Sequence, residues 1–411
     1  MNRVVVTGMG VISPLGNDVA SFWQGLIEGK CGIGPLTRFD TGAYKVRIAA
    51  EVRDFDPTRH GLEVAEARRM DLYTQYAMAA AHQAMAQSGL EGTVAPERLG
   101  ANISSGIGGI ETFFRESEKL LSRGPSRVSP LCIPTMIGNM AAGNAAIRYK
   151  AGGSCVPVVT ACATSTHSVG EAYRQIRHGY LDAVITGGSE AAVNPIAIAG
   201  FANAMALSEK NEPLASSLPF DRNRAGFVLG EGAAVLVLEE YGHARARGAE
   251  ILGEIVGYGT TCDAYHITAP HPEGDGATRA IRMALEEAGD DGSESLYINA
   301  HGTGTPLNDK TETLAIKRAL GEARARKAAV SSIKGATGHM LGAAGGAELI
   351  ATLLALSTGV LPPTIPLLDP DPECDLDYVP RKARKDARRL GVSVSLGFGG
   401  HNGVLAVRSG I

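Results

Sequence analysis

The chain has 411 residues, 44% of them hydrophobic and 20% charged, with a formal net charge of −4 at pH 7. Such a length buries a sizeable core, and the near balance of charge excludes the strong field that marks nucleic-acid or membrane-surface binders. Six scattered cysteines with no CxxC pair argue against a zinc site or disulfide framework and for a reduced, cytoplasmic protein.

The start, MNRVVVTGMG, reads as a strand and a glycine turn rather than a signal peptide. In chain order, strands are expected over 3–7, 99–104, 156–160, 183–187 and 233–238. A second series follows over 251–258, 295–300, 329–332, 392–396 and 403–407. Helical patterns lie between them at 69–88, 168–178, 276–288 and 341–356. This alternation predicts a layered α/β fold. No uninterrupted apolar run is read as reaching the length of a membrane span. The two series echo each other. VLGEGAAVLVLEE matches FGGHNGVLAVRS, each a glycine-rich turn feeding an apolar strand, and VVTACATS matches AVSSIKGAT. The boundary is placed near residue 250, after the polar YGHARARGAE, dividing 1–250 from 251–411.

Cys162 stands where the strand of VVTACATS turns into a helix. A helix N-terminus presents unpaired N–H groups and about half a positive charge, which stabilises a thiolate and lowers its pKa. A small buried hydrophobe is the competing reading of a free cysteine. Two further segments weigh against it. NAHGTGTP places His301 directly after a strand, and SSIKGATGHM places Lys334 after another, with His339 five positions on. One nucleophile and two imidazoles thus sit at three strand ends.

The ordered motifs RVVVTGMGVISPLGN, SSGIGGIE, TACATS, CDAYHITAPHPEG, NAHGTGTP, KGATGH and GFGGHN resemble, nearly end to end, the β-ketoacyl-acyl-carrier-protein synthases, in particular the elongating type of bacterial fatty-acid synthesis. The resemblance implies the thiolase fold, two similar halves in a five-layered α-β-α-β-α sandwich, and a homodimer. It makes Cys162 the acyl-accepting nucleophile and His301 and His339 the pair that stabilises the enolate left when malonyl-ACP loses CO₂. Lys334 matches a family lysine and Glu348 its acidic partner, a pair expected beside the second histidine. The amides of Cys162 and Phe398 are the implied oxyanion hole. Phe398 is also the implied gate, on a loop freed by Gly399 and its neighbouring glycines. Ile107 and Phe201 match acyl-tunnel residues, and Thr268, Thr303 and Thr305 match contacts to the pantetheine arm. Arg68, Arg69 and Arg127 match a basic dock for acidic acyl carrier protein, the expected partner. No cofactor is implied beyond the carrier's arm, although a structural monovalent cation is possible.

The chain departs from the family at a few places. Val394-Ser395-Leu396 replaces Asn-Ser-Phe, which puts a polar anchor of the gating loop and any bound cation in doubt. Ile333 and Gly335 flank Lys334 in place of Thr and Ser, and Met205 replaces a basic residue. RKARKDARRL (381–390) is unusually basic and reads as an exposed loop. The rival readings are a stand-alone polyketide ketosynthase and a non-catalytic partner resembling a chain-length factor. The latter lacks the nucleophile that Cys162 provides.

Overall fold

The computed structural model describes residues 1–410. Nine strands form its main sheet: β1 (Val4–Ile12), β2 (Leu99–Ser104), β3 (Ala183–Glu190), β4 (Gly232–Glu240), β5 (Gly253–Cys262), β6 (Leu296–Asn299), β7 (Ala329–Ser331), β8 (Leu390–Gly397) and β9 (His401–Arg408). Their order is β2-β3-β4-β1-β5-β9-β8-β6-β7. Each side repeats one pattern: a parallel pair (β2–β3, β6–β8), then two antiparallel steps inward to β1 or β5. Within the sheet the two sides are joined by three residue pairs of β1 and β5, Val4–Val6 against Gly253–Ile255.

Five helices supply most of the layers, and Met140–Tyr149 joins the first outer one against β2. α1 (Leu72–Ser88) covers β1 and β4, and α3 (Asp275–Glu287) covers β5 and β9. α4 (Pro306–Leu320) packs beside α3. α2 (Thr164–Arg177) and α5 (Ala344–Thr358) pack on each other and on strands of both sides, forming the middle layer. The result is α-β-α-β-α, with separate apolar cores above, between and below the strands. The repeat reaches individual contacts. A Cβ at Gly8 or Gly10 would lie 2.0 or 1.9 Å from the carbonyl oxygens of Ala84 and Ala80, and one at Gly257 or Gly259 at those same distances from Ala284 and Ala280. Only glycine lets strand and helix approach so closely.

Several expectations are corrected. Residues 156–160 form no strand. Gly153 and Ala101 hold a short ladder to Leu99 and Ser154, but the next amides, Val156 and Val158, donate to the side chains of Asn102 and Ser104. α1 begins at Leu72 because the Asp71 carboxylate caps it, accepting from Tyr73 N–H. The helix Leu341–Thr358 does reach span length, with 18 residues and mean hydropathy 1.4, but 83% of it is buried as the central helix of this fold. The basic stretch 381–390 is partly structured: Arg384–Lys385 pairs with Val360–Leu361, and Arg384 and Arg388 are ion-paired to Asp377 and Asp386.

Candidate active site

A 3₁₀ turn, Ala161–Ala163, carries Cys162 into α2. Ala161 has φ 51°, a left-handed conformation that costs a residue with a Cβ roughly 1–2 kcal/mol. Such strain persists only where the surroundings impose it. The turn before α5, Leu341–Ala343, has the same form, with Leu341 at φ 45°. That turn, and not AVSSIKGAT, is therefore the counterpart of the Cys162 elbow. The second half inserts Lys334 and His339 between its edge strand and its elbow.

Cys162 is 9% exposed, and the Phe398 backbone N–H lies near its sulfur. Burial pushes the thiol up to about 11, outweighing the nearby Lys334 and the Phe398 N–H, which act the other way. The lowered pKa expected from the helix end is thus overturned: Phe398, Leu341 and their neighbours remove the water a thiolate needs. A raised acid pKa favours the neutral form, so roughly one thiol in 10⁴ is ionised at pH 7. Alkylation of Cys162 by iodoacetamide is expected to rise about tenfold per pH unit through pH 9. A rate that levels off below pH 8.5, followed by peptide mapping, would contradict this.

Lys334 and Glu348 are each 1% exposed and form a buried ion pair. Lys334 Nζ also donates to His301 O at 2.5 Å and lies 3.5 Å from His301 Nδ1. The hydrogen bonds of Lys334 therefore run to the first histidine, not the second. An ammonium only donates, so it fixes Nδ1 as acceptor and leaves the proton on Nε2. The Glu312 carboxylate accepts from His301 and Gly302 N–H at 2.6 and 2.8 Å, pinning the strand end. The His339 ring stands 5.4 Å from that of His301, nearly perpendicular, and against Phe227. Both His339 ring nitrogens are buried without a partner. Burial, reinforced by Lys334, holds both imidazoles well below their ordinary pKa, so they are neutral at pH 7.

Cys162, His301, His339 and Phe398 line one cavity of about 370 Å³. Phe201, Thr268, Thr303 and Thr305 line it too, as does Met205, 88% exposed at its rim. Ile107 does not. The Glu190 carboxylate accepts from Gly106 and Ile107 N–H and from Gly342 N–H, turning the backbone inward and leaving the Ile107 side chain 40% exposed. Glu190 is fully buried, and burial raises it to about 7. Its role in joining the 105–107 loop to the second elbow had no sequence signal beyond a strand-end carboxylate. Gly399 has φ 86°, while Gly397 is required for a different reason: a Cβ there would lie 2.7 Å from Thr160 O. Arg68, Arg69 and Arg127 are exposed, and none has an acidic partner among the described residues.

The departures have local explanations. Val394 is buried in an apolar core, and the hydroxyl contact near this loop runs instead between Thr166 and Ser395, 2.7 Å apart. At Gly335 a Cβ would lie 1.7 Å from Ile365 O. Gly335→Ser is therefore expected to destabilise the fold by about 1–3 kcal/mol or more, read from its urea midpoint; an unchanged midpoint would contradict the packing. Asn299 Oδ1, Glu348 Oε2 and Ser393 Oγ are buried without partners. Asn299 and Ser393 are register partners, and Asn299 Nδ2 donates to Glu348 O at 3.0 Å. Such an oxygen set fits a hard cation.

Residues 1–244 match the N-terminal domain of β-ketoacyl synthases and 252–368 the C-terminal domain. A 3-oxoacyl-(acyl-carrier-protein) synthase 2 of Synechocystis sp. is 51% identical over 408 residues, covering 99% of this chain and 98% of that protein. Among solved structures, the ishigamide ketosynthase/chain length factor aligns over the whole of both chains with TM-score 0.93 and 37% identity. A type II polyketide ketosynthase in complex with its acyl-carrier protein, AntDE:AntF, also aligns over both whole chains, with TM-score 0.90 and 33% identity. A cysteine elbow facing two neutral histidines, in a five-layered sandwich matched by these relatives end to end, makes this chain a member of the β-ketoacyl synthase family.

Proposed function

We propose that the protein elongates fatty acids by decarboxylative Claisen condensation of acyl-ACP with malonyl-ACP, giving 3-oxoacyl-ACP, CO₂ and free ACP. The observation that carries this is the single cavity shared by Cys162, His301 and His339, with both His339 ring nitrogens unpartnered. In the first half-reaction the Cys162 sulfur attacks the acyl thioester carbon. The tetrahedral oxyanion is held by the Cys162 and Phe398 N–H groups. The carrier thiol leaves with the proton that Cys162 gives up. In the second, malonyl-ACP loses CO₂ and the electron pair becomes an enolate. His301 Nε2–H and a His339 N–H face its oxygen, each such donor worth roughly 3 kcal/mol. The enolate carbon attacks the acyl-Cys162 carbonyl, the C–S bond breaks, and Cys162 is regenerated as a thiol by a proton from solvent.

Phe398, half-buried against Cys162, serves as the gate on its glycine hinge, and Phe201 lines the acyl path. Thr268, Thr303 and Thr305 flank the pantetheine arm at the mouth. Arg68, Arg69 and Arg127, unpaired and exposed, offer the acidic carrier a dock. The higher identity to a 3-oxoacyl-(acyl-carrier-protein) synthase 2, 51% against 33% for the type II polyketide ketosynthase, favours elongation over the polyketide reading. Incubation with C8–C16 acyl-ACPs and malonyl-ACP tests it. One two-carbon extension per cycle is expected; refusal of simple saturated acyl chains would point to the polyketide reading.

The exposed edge supports a homodimer. Val156 and Val159 are 59% and 63% exposed beside β2, where β7 covers the corresponding edge of the other half. An uncovered apolar edge favours pairing with a second copy about a two-fold axis. Sedimentation at micromolar concentration checks this, and a single-chain mass would exclude it. The free state of all six cysteines fits a reduced cytoplasmic setting. Asn299, Glu348 and Ser393 would hold a monovalent cation, which when bound supplies positive charge beside Glu348.

A further inference from the structure

His167 takes no part in the chemistry above, yet it is 5% exposed and its two ring nitrogens reach three separate segments. It lies on α2, five residues after Cys162. Nδ1 is 2.7 Å from Thr160 Oγ1, on the residue that precedes the strained Ala161. Nε2 is 3.3 Å from Asn402 O and 3.1 Å from Thr260 Oγ1. A carbonyl only accepts, so Nε2 carries the proton and Nδ1 accepts from the Thr160 hydroxyl. Burial lowers this imidazole to about 4, so one neutral tautomer is present at working pH.

Both ends of this bridge are mechanically placed. Thr160 is held a second time, its N–H donating to Thr164 Oγ1 at 2.9 Å, and its carbonyl packs on Gly397 of the gate loop. Asn402 follows that loop directly, and its Nδ2 donates to Asp263 Oδ1 at 2.8 Å. The second elbow, before α5, has the same backbone strain but Ala347 at the matching position five residues after Gly342. The fold can therefore build such a turn without a histidine. We propose that His167 is a positioning residue that locks the Cys162 elbow to the gate-bearing strand, setting the spacing of the Cys162 and Phe398 amides that receive the oxyanion. The inference rests on the condensing reading.

The test compares wild type, His167→Leu, His167→Gln and Thr160→Val in two assays: single-turnover acylation of Cys162 by acyl-ACP, and decarboxylation of malonyl-ACP. Thr160→Val, the smaller change, keeps the test decisive if His167→Leu folds poorly. The expected result is acylation slowed about 10- to 100-fold in His167→Leu and Thr160→Val. KM for acyl-ACP and the decarboxylation rate should stay within about twofold, and His167→Gln should recover much of the loss. Wild-type acylation rates in both disruptive variants, or equal losses in both assays, would overturn the positioning role. Failure of the wild type itself to acylate Cys162 would instead overturn the condensing reading.

Discussion

Cys162→Ala is expected to abolish acyl-enzyme formation and to lower condensation by on the order of 10⁴-fold or more, because no other group can hold the acyl chain. Cys162 is the one thiol among the residues that line the cavity, and the other five cysteines lie elsewhere. Decarboxylation of malonyl-ACP should survive. It depends on the two neutral imidazoles, and those are held by Lys334, Glu312 and the Phe227 ring rather than by the thiol. Mass spectrometry after incubation with acyl-ACP, with CO₂ release measured in parallel, separates the two effects. Loss of both activities would mean that the thiol is needed to assemble the enolate site, and the division of roles would be wrong.

Lys334→Ala is expected to cost about 3–5 kcal/mol of stability, the usual penalty when one member of a buried ion pair is removed. Glu348 would keep its burial and lose its counter-charge, and its Oε2 already has no hydrogen-bond partner. The carboxyl would then favour protonation, in line with the upward pull that burial exerts on it. Function should fall as well, by about 10²–10³-fold, since His301 would lose the donor that keeps its proton on Nε2. The double variant Lys334→Met/Glu348→Leu separates these effects. It should recover much of the stability, because an apolar pair of similar volume often replaces a buried ion pair without loss, while elongation stays low. Urea midpoints and elongation rates decide; a single variant as stable as wild type would show that the pair is not as dry as its burial indicates.

Much of the architecture was legible from local pattern. The segment 99–104 matches β2 residue for residue, because its apolar run ends at a serine-glycine turn. The three site segments were legible because glycine-rich turns after strands bring chemistry to one face. What failed depended on distant chain. The helix end is local to Cys162, whereas its burial comes from Phe398 and Leu341, far along the sequence. Distance in sequence pairs Lys334 with His339, but its amine turns back to His301 at the end of β6. The GIGG motif places Ile107 on the acyl path, yet its backbone is set by Glu190, a carboxylate with no local clue. The echo of AVSSIKGAT misplaced the second elbow, since backbone strain at Leu341 is invisible to residue type.

The central claim is that Cys162 carries the growing chain and the histidines deliver the enolate to it. A pulse and chase with isotopically labelled acyl-ACP, followed by malonyl-ACP, tests this most directly. The predicted result is one acyl group on the peptide containing Cys162, discharged by malonyl-ACP as a 3-oxoacyl-ACP longer by two carbons. Label on another residue, or an acyl-Cys162 that malonyl-ACP does not discharge, would contradict the account.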